Sequence, residues 1–594
     1  WLKTLRFKRV CQLPPHIGLK THPRQVKSAQ HNTTTTTTTT KMTISHPLLA
    51  PATTKTEDVT EVNDHTDIPR LMRAANDLAH RNITLSKAAR GKKLLFLTMG
   101  SRGDVQPFAA LALGLQRAGF VVSIMSNENH IPFLQDFGLH AVASHGDAEA
   151  WMHGEPEFLK SMADGDIWKI MGTIAERNKK EFPEVLRREL QEIEDFAPDA
   201  ILYSTLEGTQ ANAVSYVRGI PAIPCDLFVM QASGSENSWA DEPLWLPRFV
   251  HLALAAVFRS LFVVGEKDGK HDELKKRLPG CEPGLSTSVF QDADFLKPSV
   301  PILCGVSPSI VPSHSDWTTR PMLTGFWVVP EKEQCLQLAS GNKNFGASDI
   351  DRLNEFFAAG DTPAYIGWGS MLAVSSQHMA TLAVRSLKCA KMRGVILGGW
   401  AKLDPENLTD QPDSEELLDY ANKNIIFVKS APHEWLFPRC CAIVHHGGVG
   451  TTAAGLRSGR PSIVTPCGFD QFKNARMVAA SGAGLALPRV SKVKPEAIAE
   501  ALKRATTETK KGGLVETARN VGLRLRSEDG IGEATKILDE FFEKEIESEV
   551  WKMREERRRQ QFRSRAESGI LRKMALLAGF VCCHNWYAKR EQTR

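Results

Sequence analysis

Short apolar runs that end in glycine or in polar residues recur along the middle of the chain. The first covers residues 94–100, a helical pattern that begins at Pro107 covers residues 107–118, and a second run covers residues 121–126. Parallel strands that are covered on both faces have such continuous apolar sequences, and proline suits the first position of a helix. The order strand, helix, strand predicts the opening of a Rossmann-like half.

Further runs of this kind predict two such halves in tandem, and therefore an α/β fold. They cover residues 200–203, 220–223, 394–400, 424–430, 442–444 and 462–466. The second half begins near Pro363, and a proline-rich passage at residues 312–330 joins the halves. A chain of 594 residues is too long for a single core, which agrees with two domains.

Four regions follow from these patterns. We expect a low-complexity, disordered N-terminal region at residues 1–90, a first Rossmann-like domain at 91–335, a second at 336–540 and a basic helical tail at 541–594. The first region contains eight consecutive threonines, residues 33–40. We expect Met42 to be the true start, and an organelle transit peptide is the alternative.

The charge is distributed unevenly, although the formal net charge is only +6. Residues 1–56 hold nine Lys/Arg and no Asp/Glu, and residues 551–594 hold twelve Lys/Arg against four Glu, so the body between them is acidic. Two cationic ends on an acidic body favour contact with an anionic surface such as a membrane over nucleic-acid binding. Solvated tails are the alternative.

The cysteines and the hydropathy bear on the compartment. The eleven cysteines form no CxxC pair, which favours reduced thiols and a cytoplasmic protein. We find no secretory signal and no apolar run of the roughly 20 residues that span a bilayer. The apolar end of the tail has the composition of a segment that lies in the membrane interface, and its Cys582 and Cys583 are candidates for acylation. The alternative is that this segment docks on the body of the protein or is loose.

Residues 432–471 carry the most specific chemistry. A buried strand leads to His445 and His446, then to a turn of Gly447, Gly448, Val449 and Gly450, and Thr451 and Thr452 open a helix. Glycines allow close approach of a ligand, and the amides of a helix start attract phosphate oxygens. About twenty residues later, Asp470 and Gln471 follow the next strand, at the sheet edge where α/β proteins bind ligands. The first turn is suited to a diphosphate and the second to sugar hydroxyls, so the two together predict a site for a nucleotide sugar.

These residues closely resemble the donor-binding signature of the UDP-glucose:sterol glucosyltransferases, which are inverting UDP-dependent glycosyltransferases. The strings WLFPRC, HHGGVGTTAAGL and DQ occur in the same order, and the similarity extends over roughly residues 92–540. The resemblance implies the GT-B fold, two Rossmann-like domains that face each other across a cleft, with the acceptor on the first and UDP-sugar on the second. It implies glucose transfer from UDP-glucose to a lipophilic alcohol, with a sterol as first choice. No DxD motif is evident, so we expect neither a metal nor another cofactor.

The string GSRGDVQP at residues 100–107 resembles the amino-terminal motif of these enzymes. The resemblance implies that Asp104 is the general base, with Ser101 in the same catalytic loop. The alternatives are that Asp104 caps the following helix or pairs with Arg102, and that His130 is the base. By the same resemblance, Gly369 and Ser370 meet the phosphates from the other side, and His446 stabilises the leaving diphosphate. We expect His445 to be a packing residue.

The sequence signals for the uridine-binding and acceptor-binding parts of the site are less specific. Trp400 and Trp435 are candidates for the uracil site together with the backbone of residues 431–435, although Trp435 can equally be a hydrophobic plug. The string CGFDQFKNA departs from the FFGDQPFWG of sterol enzymes and brings in Asn474, which weakens the assignment of glucose. Residues 225–265 have the apolar composition of an acceptor pocket, and also that of a buried helix.

Three alternatives remain at this point. A UDP-glycosyltransferase with another lipid or a secondary metabolite as acceptor keeps the same chemistry. A GT-B sugar-nucleotide epimerase also binds a UDP-sugar between two such halves, but it needs no acceptor pocket. A non-enzymatic lipid- or nucleotide-binding scaffold would not need Asp104, His446, Asp470 and Gln471 together.

Overall fold

Every strand pairing in the described part of the chain is parallel, as the apolar runs predict. The computed structural model describes residues 83–164, 166–229, 247, 270, 272–281, 299–311, 321–342 and 345–568. The strands form one seven-stranded and one six-stranded sheet. We call these two sheets, with their helices, the first and the second lobe.

The first lobe alternates strands and helices. Its elements are β1 (Lys93–Leu97), α1 (Arg102–Ala118), β2 (Val121–Asn127), α2 (Ile131–Gln135), β3 (His140–His145), α3 (Ala148–Gly154), α4 (Pro156–Asp164), α5 (Ile167–Phe196), β4 (Ala200–Ser204), α6 (Gly208–Arg218), β5 (Ala222–Asp226), β6 (Leu303–Cys304) and β7 (Met322–Leu323). The strand order is β3-β2-β1-β4-β5-β6-β7. The order reverses between β1 and β4, and a ligand crevice is expected at such a point.

The second lobe repeats this plan. Its elements are α7 (Glu331–Ala339), α8 (Ile350–Ala358), β8 (Ala364–Gly367), α9 (Ser376–Ala390), β9 (Gly394–Leu397), α10 (Ser414–Asn424), β10 (Ile425–Val428), α11 (His433–Leu436), β11 (Ile443–His445), α12 (Val449–Arg457), β12 (Ser462–Val464), α13 (Gln471–Ala480), β13 (Gly484–Ala486), α14 (Pro495–Thr507) and α15 (Leu514–Arg526). The strand order β10-β9-β8-β11-β12-β13 is that of a Rossmann sheet, with the switch between β8 and β11. The predicted fold class, two Rossmann-like lobes of GT-B type, is confirmed.

Apolar side chains cover both faces of the first sheet. Leu94 and Phe96 pack with Phe108 of α1 on one face, while Leu95 and Leu97 pack with Leu186 of α5 on the other. The side chains alternate because successive residues of a strand point to opposite faces. Both faces are buried, so β1 reads as one continuous apolar run.

Helix α1 begins earlier than the sequence predicts. It starts at Arg102, so Pro107 lies inside the helix instead of opening it. The Asp104 side chain accepts a hydrogen bond from the Ser101 amide, as in a capping box, and this fixes the earlier start. The proline rule therefore misplaced the helix start by five residues.

The C-terminal helices return to the first lobe. Helix α16 (Gly530–Phe541) packs on α1, where Ile531 fills the space that a side chain at Gly114 would need. Helix α17 (Val550–Ser568) follows, with Trp551 in the core of the first lobe and the Arg559 guanidinium 5.1 Å from the Tyr216 ring centroid. The described part of the basic tail is therefore helical and docked on the body. The structure does not test the predicted domain boundaries, which stay predictions.

A segment of the first lobe also reaches the second. Phe158 of α4, Met162 of α4 and Ile170 of α5 belong to the core that holds Trp368 and Met371 of the second lobe. His153 of α3 lies with its ring centroid 6.2 Å from that of Trp400. These contacts form one wall of the cleft between the lobes.

Several predictions fall outside the described residues. They concern residues 1–82, most of the apolar segment 225–265, and the apolar end of the tail with Cys582 and Cys583. Where helices are described, none combines the length and the apolar character that a membrane span requires.

Candidate UDP-sugar site

The start of α12 offers unpaired amides to an anion. Gly448 is the N-cap and provides no side-chain cap, so the amides of Val449, Gly450 and Thr451 have no helical acceptor. Gly447 has φ 93° and makes the turn that directs these amides toward the cleft. The Thr452 side chain is fully buried, and its amide donates to the Gly448 carbonyl at 2.8 Å. Its hydroxyl has no hydrogen-bond partner in the described residues, and its part in donor binding stays a prediction.

His446 lies between two glycines beside this turn. A Cβ on Gly369 would lie 2.8 Å from its Cε1, and one on Gly448 would overlap the ring. Within the described part of the chain, its buried Nδ1 has no hydrogen-bond partner. Desolvation lowers the pKa of His446 to about 4. The imidazole is therefore neutral in the free protein, and it has an unused polar atom next to the anion site.

The neighbouring His445 serves the turn. It is fully buried, and its Nδ1 accepts a hydrogen bond from the Gly447 amide at 3.1 Å. Desolvation first, and then the nearby His446 and His433, lower its pKa to about 3. A neutral ring in this position fixes the backbone of the turn.

Asp470, Gln471 and Asn474 form a connected group at the end of β12. The Asn474 amide donates to the Gly447 carbonyl at 2.8 Å and to Asp470 Oδ2 at 2.9 Å, which ties the sugar-side residues to the anion turn. Phe469, just before them, has φ 54°, a strained conformation for a bulky residue. Strain of this kind is typical of backbone that positions a functional side chain.

Gln471 uses its two polar atoms differently. Its Oε1 accepts hydrogen bonds from the amides of Cys467 and Gly468, at 2.8 Å and 3.1 Å. Its NH2 group has no partner among the residues that the structure describes, so it can donate to a sugar hydroxyl. Gln471 therefore both holds the loop and offers a donor.

Asp104 approaches from the first lobe. Its Oδ2 accepts from the Ser101 amide at 2.7 Å and from the Ser101 hydroxyl at 2.9 Å, while Oδ1 has no partner in the described residues. Asp104 therefore caps the helix with Oδ2, as the alternative interpretation predicted, while Oδ1 is left for an acceptor hydroxyl. Desolvation raises the pKa of Asp104, although the cleft keeps the side chain accessible and the bonds from Ser101 oppose the shift.

The two carboxylates, one from each lobe, interact across the cleft. Desolvation and then the charge of Asp104 raise the pKa of Asp470 to about 7, against a hydrogen bond from Asn474 that lowers it. Asp104 thus lies within electrostatic reach of the residue that we expect to bind the sugar.

His130 is not available as a base. It is 3% exposed, and its Nε2 lies 3.0 Å from the Gly100 carbonyl, to which it donates. Asn127 accepts from the Gly100 amide at 2.9 Å. Both residues hold the loop of Asp104, a role that the sequence did not predict.

Arg102 adds a second support for this loop. Its guanidinium lies 4.6 Å from the Phe133 ring centroid and 5.1 Å from that of Phe345, and its Nε donates to Gln106 at 3.2 Å. Burial lowers the pKa of Arg102 to about 10, with the charge of Asp136 opposing. Arg102 therefore does not form the predicted alternative pair with Asp104.

Trp435 is a plug and Trp400 remains at the cleft. The Trp435 side chain is 9% exposed, packs on Phe357 and lies under the Arg439 guanidinium, so its ring is not available to stack on uracil. Trp400 is half-buried, and its amide donates to the Gly369 carbonyl at 3.2 Å. Ser370 of the same loop is also half-buried.

Metal-ligand clusters do not occur among the described residues, where no three His, Cys, Asp or Glu side chains come together to hold an ion. The amides of α12 are the groups that this site offers to a diphosphate. Metal independence stays a prediction.

Comparison with known proteins places these motifs in a family context. The chain is 27% identical over 471 residues to the sterol 3-beta-glucosyltransferase of Cryptococcus neoformans and 29% identical over 455 residues to that of Arabidopsis thaliana, each match covering 75% of the chain. The chain is a homologue of the sterol 3-beta-glucosyltransferases. The resemblance that the motifs indicate is confirmed. This homologue spans 27% of the length of the fungal relative and 65% of that of the plant relative.

Two further findings concern the domains. The family model of the erythromycin biosynthesis protein CIII-like C-terminal domain matches residues 395–527, which contain α12 and α13. Among solved structures, the calicheamicin glycosyltransferase CalG4 aligns over 76% of this chain and 98% of its own, with a TM-score of 0.49 and 16% identity. The glycosyltransferase VinC in complex with dTDP aligns over 75% of this chain with a TM-score of 0.46 and 18% identity.

Proposed function

We propose that this protein is an inverting UDP-glycosyltransferase that transfers glucose from UDP-glucose to the hydroxyl of a lipophilic alcohol, with a sterol as the first candidate. The approach of the Asp104 loop to the start of α12 carries the proposal. The carbonyl oxygen of Gly103, the residue before Asp104, lies 3.7 Å from the position that a Cβ on Gly450 would take, and the charge of Asp104 helps to raise the pKa of Asp470. The similarity to sterol 3-beta-glucosyltransferases supports both the sterol and the glucose.

The donor is held mainly by the second lobe. The diphosphate accepts hydrogen bonds from the free amides of α12, while His446 and Ser370 lie on its flanks. Asp470 and the Gln471 NH2 group bind sugar hydroxyls, and uridine lies toward residues 431–435 and Trp400. The amides and the helix dipole take the place of a cation.

The reaction is a direct displacement. Asp104 Oδ1 takes the proton of the acceptor hydroxyl, whose oxygen attacks the anomeric carbon from the face opposite the diphosphate. The bond from the anomeric carbon to the diphosphate oxygen breaks, and the electron pair leaves with UDP. The amides of α12 and His446 stabilise the charge that develops there. Attack from the opposite face inverts the anomeric configuration.

One experiment tests both donor and acceptor. Purified protein is incubated with labelled UDP-glucose and vesicles that contain a sterol or a total lipid extract, and products are identified by mass spectrometry and anomeric NMR. We expect a β-linked steryl glucoside. Another labelled lipid or a phenolic product would support the alternative acceptor class, and UDP release or epimerisation without a glycoside would contradict the proposal.

A further inference from the structure

Helix α1 contains a proline where a hydrogen-bond donor is expected. Because the helix begins at Arg102, Pro107 is its sixth residue. A backbone N–H at this position would bond to the carbonyl four residues earlier, that of Gly103. Proline has no N–H, and its ring also crowds that carbonyl. The Gly103 carbonyl therefore lacks its α-helical partner.

This carbonyl lies in the cleft, opposite the start of α12. Gly103 is exposed, and its oxygen lies 3.7 Å from the position that a Cβ on Gly450 would take. Gly450 belongs to the first turn of α12, whose amides form the proposed diphosphate site. The residue after Gly103 is Asp104. The Gly103 oxygen thus lies beside the first turn of α12 and belongs to the residue that precedes the base.

We infer that the Gly103 carbonyl is a catalytic group that stabilises positive charge at the anomeric carbon, and that Pro107 is the positioning residue that keeps it free. The inference rests on the proposed function, because a direct displacement puts the anomeric carbon between the base and the leaving phosphate. As the bond to the diphosphate oxygen breaks, the sugar acquires oxocarbenium character until the acceptor oxygen completes the new bond. The negative end of a fixed carbonyl dipole attracts this charge.

The same carbonyl would lose this ability inside an ordinary helix. If residue 107 had an N–H, that group would bond to the Gly103 oxygen and draw it toward the helix axis. A change that makes α1 more regular is then expected to slow the reaction. A purely structural role for Pro107 predicts no such loss.

The test compares Pro107→Ala and Pro107→Val with the full-length wild-type protein. Each variant restores the N–H, and the valine keeps more of the buried volume. We expect kcat for glucosyl transfer to fall about tenfold or more. The KM for UDP-glucose, the Kd for UDP and the acid limb of the pH profile should stay unchanged, because the diphosphate site and Asp104 are untouched.

Pro183→Ala is the matched control. Pro183 lies inside α5 on the opposite face of the first sheet, where it leaves the carbonyl of Lys179 without its helical donor. Restoring that N–H should leave kcat unchanged.

Two results would overturn this inference and leave the proposed function standing. The first is a wild-type kcat in both Pro107 variants. The second is a loss of kcat that comes with an equal loss of UDP affinity or with a shift in the acid limb of the pH profile. Failure of the wild-type protein to glycosylate any acceptor would overturn the proposed function and this inference with it.

Discussion

At the scale of single residues, the polar atoms of the second lobe divide into those that hold the site and those that are left for a ligand. His445, Gln471 Oε1 and Asn474 are all bonded to backbone groups of the two turns. His446 Nδ1 is buried and has no partner in the described residues. Such an orphan atom is costly unless a ligand satisfies it.

The first prediction concerns His446. The His446→Ala variant should bind UDP-glucose at least about tenfold more weakly, since a hydrogen bond to a charged group contributes about 1.5–3 kcal/mol. Isothermal titration calorimetry measures the Kd, and His140→Ala, on the exposed edge strand β3, is the control. A His446 variant with wild-type Kd would show that the diphosphate binds elsewhere.

The second prediction uses the pKa of about 7 at Asp470. The folded protein keeps a proton on this group at pH values where the unfolded chain, with a pKa of about 3.9, has lost it. Its stabilising contribution is therefore present below about pH 4 and is lost as the pH rises to about 7. The Asp470→Asn variant cannot titrate at this position, so its stability relative to the wild type should increase between about pH 4 and about pH 7. Thermal unfolding of both proteins across this pH range measures the difference in stability. A difference that does not change with pH would contradict the raised pKa of Asp470.

The residue assignments came partly from sequence. The glycine turn, His446, Asp470 and Gln471 lie together because the strand ends that carry them share one edge of the second sheet. Asp104 follows a strand end of the first sheet and approaches them from the other lobe. The sequence could not show that Trp435 and Thr452 are buried, since local composition does not reveal which side of a helix faces the core.

At the scale of elements, the loop between β1 and α1 decides where the base lies. Gly100 has φ 123°, and a Cβ there would lie 2.6 Å from Asp104 Oδ2. His130 and Asn127 hold the backbone of Gly100 from either side. The loop thus brings the carboxylate back over its own backbone, which only glycine permits.

The third prediction follows from this contact. The Gly100→Ala variant should lower kcat strongly, because the methyl group displaces the Asp104 carboxylate. Gly91→Ala is a matched control, since Gly91 also has a positive φ of 77° but has no atom within 4 Å of the added Cβ. Both variants share the backbone strain, so thermal stability should fall in each, while glucosyl transfer should fall only in Gly100→Ala. Equal activities would contradict the proposed place of Asp104.

Strands were easier to predict than helix ends. A buried parallel strand such as β1 is apolar along its whole length, so the run itself marks it. The start of α1 depends on the bonds between Ser101 and Asp104, and the proline inside the helix pointed to a later start.

At the scale of the whole molecule, contacts in both directions join the lobes. Helices α3–α5 extend from the first lobe onto the second, and α16 and α17 return from the second half of the chain to the first lobe. The sequence predicted the two halves but not these crossings. They depend on pairs distant in sequence, such as Ile531 with Gly114, which no local pattern encodes.

The measurement that tests the central claim most directly is glucosyl transfer by Asp104→Asn. The amide keeps the size of the side chain but cannot accept a proton, so we expect kcat to fall at least about a hundredfold. The Kd for UDP-glucose should stay within about twofold of the wild-type value, since the second lobe holds the donor. Transfer at the wild-type rate by this variant would contradict the account.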